Sequence, residues 1–125
     1  MEENKKKILL VDDDEGFAFI VQKSFEKTEF EMIAARNGEE GVEKALEEKP
    51  DLILLDVMMP GMDGMQVTEK LKEYGCSIPI IYLSNVADPR KISESIVASG
   101  GEADYIVKTD IHVEEIIDRI RKRLA

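Results

Sequence analysis

Two uninterrupted aliphatic runs, Ile8-Leu9-Leu10-Val11 and Leu52-Ile53-Leu54-Leu55, each stop on aspartate: Asp12-Asp13 after the first, Asp56 after the second. A strand with one face in water alternates apolar and polar residues. A run that is apolar at every position must be covered on both faces, as in a parallel sheet whose crossovers are helices. The rest of the chain keeps the matching rhythm. Strands are expected at Ile8–Val11, Phe30–Ala34, Leu52–Leu55, Ile78–Leu83 and Tyr105–Val107. Helices are expected at Gly16–Lys27, Glu39–Glu48, Met65–Tyr74, Arg90–Ser99 and Ile111–Leu124. In the second of these, Val42, Ala45 and Leu46 recur at spacings of three and four behind a capping Asn37. Asp88-Pro89 supplies a cap and a first-turn proline for the fourth. Thr109 or Asp110 is expected to cap the last, whose apolar stripe is Ile116, Ile117 and Ile120.

Five β/α units imply right-handed crossovers and a doubly wound α/β fold, (βα)5, with a five-stranded parallel sheet. The flavodoxin-like strand order 2-1-3-4-5 is expected, which seats the first and third strands side by side. Residues 1–125 read as one domain, with no linker, repeat or low-complexity segment, so any output passes through a partner. Met1 and its charged lead-in read as a natural start, while Ala125 is compatible with a junction to an output domain.

Composition excludes several classes. The apolar runs are too short to span a bilayer, and no signal peptide is visible. A net charge of −10 argues against a nucleic-acid-binding surface. The basic tail Arg119–Arg123 suits a helix carboxyl terminus instead. Cys76 is the only cysteine, so no intrachain disulfide can form; a structural thiol in a reducing cytoplasm is expected. His112, the only histidine, reads as a surface helix residue and not a phosphocarrier.

Carboxylates crowded at adjacent strand ends repel one another and resist desolvation, so a cation should compensate them. Asp12, Asp13 and Asp56 therefore read as a site for a hard divalent metal, with one carboxylate left for chemistry. Two further strand ends add to them: Ile80-Ile81-Tyr82-Leu83 stops on Ser84, and Tyr105-Ile106-Val107 on Lys108. A hydroxyl donor and an ammonium beside the acids make a phosphate site.

At this point the sequence resembles a response-regulator receiver domain of a two-component phosphorelay. The matching residues are Ile8-Leu9-Leu10-Val11-Asp12-Asp13, the block from Leu55-Asp56 to Met62-Asp63-Gly64, Ser84, and Asp104-Tyr105-Ile106-Val107-Lys108. The resemblance implies that Asp56 is the phosphoacceptor, taking a phosphoryl group from a histidine kinase or a histidine phosphotransfer protein. It implies that Asp13, Asp56 and the Met58 backbone carbonyl bind Mg²⁺ directly, with Asp12 acting through water. Lys108 would pair with a phosphoryl oxygen, Ser84 would shift towards the phosphoryl group, and Tyr105 would be the aromatic switch that turns inward behind it. The readout would be a surface of the fourth helical stretch, the fifth strand and the last helix, engaging a downstream protein. The chain would catalyse its own aspartyl phosphorylation and dephosphorylation, as a cytoplasmic monomer or phosphorylation-dependent homodimer that binds neither DNA nor membrane.

Asn85 follows Ser84 where the family carries a very small residue, and Thr109 follows Lys108 where it carries proline. A trans bond is expected before Thr109. The stretch from Ser84 to Gly101 is also a residue or two longer than common. These departures motivate an alternative, a phosphorylation-independent interaction module with the same fold. A haloacid-dehalogenase-type phosphatase is a further alternative, because Asp12-Asp13-Asp14 contains an Asp-x-Asp. It lacks the Thr or Val expected two residues on, where Gly16 stands, and little chain remains after Lys108 for a last acidic motif.

Overall fold

The structure is a computed structural model that describes residues 5–84, 104–108 and 112–125. Five parallel strands, β1 (Lys6–Val11), β2 (Phe30–Ala35), β3 (Leu52–Asp56), β4 (Ile80–Ser84) and β5 (Asp104–Val107), lie in the order β2-β1-β3-β4-β5. The helices are α1 (Glu15–Phe25), α2 (Gly38–Glu48), α3 (Gly64–Glu73) and α4 (Val113–Leu124). The expected helix Arg90–Ser99, its Asp88-Pro89 cap, and Asn85 and Thr109 with their effects lie outside the described residues.

The uninterrupted apolar runs are explained by the two layers they serve. Ile8, Leu10, Leu52, Leu54, Ile81 and Leu83 face one way, packing on Val21 and Phe25 of α1 and on Ile116, Ile117 and Ile120 of α4. Leu9, Val11, Ile53, Leu55 and Tyr82 face the other, against Val42 and Ala45 of α2 and Val67 and Leu71 of α3. In β3, β4 and β1 from Ile8 onward, successive side chains enter opposite cores, so apolar residues run on until the strand end, whereas the edge strand β2 carries exposed Glu31.

Several boundaries differ from expectation. β3 and β4 each run one residue further, taking Asp56 and Ser84 into the sheet, with Asp56 paired to Leu83 and Ser84 to Val107. Ile78 stays outside β4 because Pro79, which has no N–H, precedes the strand; its carbonyl still accepts from the Ile53 N–H at 3.0 Å. Helix α1 begins at Glu15 because Asp14 caps it, accepting from the Phe17 N–H at 3.1 Å. Asn37 caps α2 as expected, accepting from the Glu40 N–H at 2.8 Å. Leu46, however, is left exposed, outside the buried stripe of α2. The cap of α4 is His112 rather than Thr109 or Asp110, and the Glu115 carboxylate reaches back to the His112 N–H at 3.5 Å. The lone histidine therefore stands at the helix cap instead of within the helix.

Candidate functional site

Four strands deliver polar side chains to one edge of the sheet. Asp12, Asp56, Ser84 and Lys108 are buried, whereas Asp13 is exposed. One carboxylate oxygen from each of Asp12, Asp13 and Asp56 falls within a 4.8 Å span. Adjacency of β1 and β3 at the centre of the sheet is what brings them together.

Local folding fixes the acids individually. The Asp12 N–H donates to the Ala35 carbonyl at 3.1 Å, and its Oδ1 accepts from the Asp14 N–H at 2.9 Å. That leaves Oδ2 facing the site. Asp56 Oδ1 accepts from the Met58 N–H at 3.2 Å. Met58 itself has an exposed side chain in the loop just beyond β3. The loop is pinned from both sides: the Val57 N–H donates to the Leu83 carbonyl at 2.9 Å, and the Val57 carbonyl accepts from the Gly64 N–H at 3.0 Å. Gly64 has to be glycine, since a Cβ there would lie 2.7 Å from the Asp56 carbonyl oxygen.

Lys108 is no solvated strand end. Its side chain is 3% exposed, with Nζ 2.7 Å from Asp12 Oδ2 and 3.7 Å from Asp56 Oδ2. Among the described residues neither Nζ nor Asp12 Oδ2 has an aligned hydrogen bond, so the pair is held mainly by charge. The Phe17 ring covers the ammonium, with its centroid 4.4 Å from Nζ. Burial pushes the Asp56 carboxyl up to about 7; the Asp12 charge adds to the rise, while Lys108 and the Met58 N–H oppose it. A carboxyl held that high needs a cation to ionise fully near neutrality.

Ser84 ends β4 and is buried beside this group. Tyr105 is half-buried and packs against Tyr82, with ring centroids 6.5 Å apart. Its hydroxyl is enclosed and has no hydrogen-bond partner among the described residues.

The donor set fits Mg²⁺. Every candidate ligand is a hard oxygen, the carboxylates outnumber the one ammonium beside them, and the buried Asp12 Oδ2 lacks an aligned donor. Asp14, the second aspartate of the Asp-x-Asp, is instead turned into the α1 cap.

Residues 8–121 match the response regulator receiver domain family. The chain belongs to that family. It is 39% identical over 103 residues to the alkaline phosphatase synthesis transcriptional regulatory protein PhoP of Bacillus subtilis, an alignment that takes in 82% of this chain and 42% of that relative. This receiver domain thus spans less than half the length of that curated protein. Among solved structures it resembles the chemotaxis protein CheY4 of Vibrio cholerae, with a TM-score of 0.85 and 25% identity, covering 95% of this chain and 98% of that one. The receiver domain of the Francisella response regulator 1452 superposes with a TM-score of 0.82 at 29% identity, covering 97% and 100%. The expected flavodoxin-like order and the receiver resemblance both hold.

Two features escaped the sequence reading. Phe17 entered it only as part of a helix, yet its ring lies on the site lysine. Tyr82 is a hydroxyl-bearing residue in the apolar run of β4, and it bonds to Thr68 on the buried face of α3 at 2.7 Å. The lone phenol in Ile80-Ile81-Tyr82-Leu83 was the available signal, since a buried hydroxyl needs a partner.

Proposed function

We propose that this receiver domain is phosphorylated on Asp56 and acts as a protein-interaction switch in two-component signalling. The observation that carries the reading is the Asp56 carboxylate, buried at the tip of β3 among Asp12, Asp13 and Lys108. An Asp56 oxygen attacks the phosphorus of a phosphohistidine on a histidine kinase or histidine phosphotransfer protein. The phosphorus–nitrogen bond breaks and the imidazole leaves with its electron pair, giving an acyl phosphate. Asp13, Asp56 and the Met58 carbonyl, with Asp12 through water, would hold Mg²⁺, which would neutralise phosphoryl charge when bound.

The chain's own residues do the rest. Lys108 exchanges its contact with Asp12 for a phosphoryl oxygen, and Ser84 donates a hydrogen bond to another. Tyr105 follows Ser84 inward. Moving a population from mostly inactive to mostly active requires about 5.5 kcal/mol of differential stabilisation. A hydrogen bond to a charged group contributes about 1.5–3 kcal/mol, so Ser84 and Lys108 must act together. Among the described residues, the surface biased by this change comprises β5 and α4, and it engages a downstream protein. No described helix is long and apolar enough to cross a membrane. The cytoplasm is the compartment this role requires, and the regulator need not touch nucleic acid through this domain.

Incubation with acetyl phosphate and Mg²⁺ is expected to add one phosphate to the protein. The adduct should be labile in alkali, cleaved by hydroxylamine as an acyl phosphate is, and absent from Asp56→Asn. Intact mass and peptide mapping provide the measurement. No adduct with any small donor or phosphohistidine protein would leave the phosphorylation-independent module in its place.

A further inference from the structure

We propose that Phe17 is a positioning residue whose ring holds the Lys108 ammonium on Asp12 and thereby weakens Mg²⁺ binding to the acidic cluster. The inference rests on the metal reading above and extends it to a residue outside the ligand set.

The contact is built into the fold. Phe17 lies in the first turn of α1, its N–H donating to the capping Asp14 Oδ1 at 3.1 Å, and its body packs against the core under that helix. Its ring is therefore fixed by the same turn that follows Asp12 and Asp13. Beneath it, the Lys108 side chain is 3% exposed and its Nζ makes no aligned hydrogen bond among the described residues. Water and aligned acceptors are replaced by Asp12 Oδ2 at 2.7 Å, Asp56 Oδ2 at 3.7 Å and the ring centroid at 4.4 Å. A cation over an aromatic face gains most when it has lost its water.

The same geometry creates competition. Asp12 Oδ1 is committed to the Asp14 N–H, leaving Oδ2 as the oxygen open to the site, and the ammonium already sits there. A divalent ion or its bound water must share or take that oxygen. Whatever steadies the ammonium there raises the concentration of metal needed. An internal comparison lies on the same helix: Lys23 Nζ is 5.9 Å from the Phe19 ring, but that lysine is 59% exposed and pairs with Glu26 at 3.8 Å.

The test is Mg²⁺ titration of the full chain by calorimetry, with 1H–13C spectra of the metal-free protein. Leucine keeps the apolar body of Phe17 without its ring. Phe17→Leu is expected to bind Mg²⁺ about 3- to 30-fold more tightly. The upfield ring shift of the Lys108 ε-methylene protons should disappear with it. Lys108→Met should also bind more tightly, and adding Phe17→Leu to it should change nothing further. Phe19→Leu should match the wild type. Phe17→Met serves as the second variant if Phe17→Leu folds poorly. Wild-type affinity in both Phe17 variants would overturn this inference alone, as would an equal gain in the Lys108→Met background. No saturable Mg²⁺ binding by any variant would overturn the metal reading, and this inference with it.

Discussion

Burial and the neighbouring Asp12 charge hold the Asp56 carboxyl at about 7, above the ordinary carboxylate range. Between that range and 7 the native state binds more protons than the unfolded chain, so folding stability falls as pH rises through the window. Asp56→Asn removes the ionisation. Without metal, the variant should be more stable than the wild type at pH 8 by about 1–3 kcal/mol. The difference should fade towards pH 4, where both carry a neutral group; thermal unfolding across that range would measure it. The acids were legible in the sequence because residue type and strand end suffice to place them. Which carboxylate Lys108 approaches was not legible. The choice between 2.7 Å on Asp12 and 3.7 Å on Asp56 depends on side-chain packing, including the Phe17 ring.

Among the elements, the strands were readable because a two-layer fold demands apolar residues at every buried position. Their last residues were not, since Asp56 and Ser84 are polar yet still belong to the ladder. Nor was the bond that ties α3 to β4. The Thr68 hydroxyl donates its single proton to the Gly64 carbonyl at 2.9 Å, so the Tyr82 hydroxyl is the donor to Thr68 Oγ1 at 2.7 Å. Both residues are buried. Thr68→Val keeps the shape but strands the Tyr82 hydroxyl, and is expected to cost about 1–3 kcal/mol in urea unfolding. The double variant Thr68→Val/Tyr82→Phe should recover most of that loss, because no unpaired polar group remains. Equal instability of the single and double variants would contradict this account.

For the whole molecule, the proposed metal site would couple folding to Mg²⁺, since a net charge of −10 and a cluster of acids at one edge disfavour the metal-free native state. An ion that binds only the native state stabilises it by about 1.4 kcal/mol for each tenfold rise in concentration above its dissociation constant. Millimolar Mg²⁺ should therefore raise the unfolding temperature beyond the effect of sodium chloride at matched ionic strength. Asp13→Asn should suppress that extra rise. The doubly wound topology was legible from five β/α units, although its strand order came from analogy with known folds, because periodicity does not rank neighbours. The proposed output surface was the least legible part, because hydrophobic pattern alone does not show which exposed positions a partner would engage.

The enclosed Tyr105 hydroxyl bears on how sensitive such a protein can be. The hydroxyl has no hydrogen-bond partner among the described residues, and a phenol left so costs about 1–3 kcal/mol that a rearrangement supplying an acceptor recovers. The resting conformation would then sit closer to its tipping point than its well-filled core suggests, and a modest chemical input at a distant strand end could be enough to carry it over.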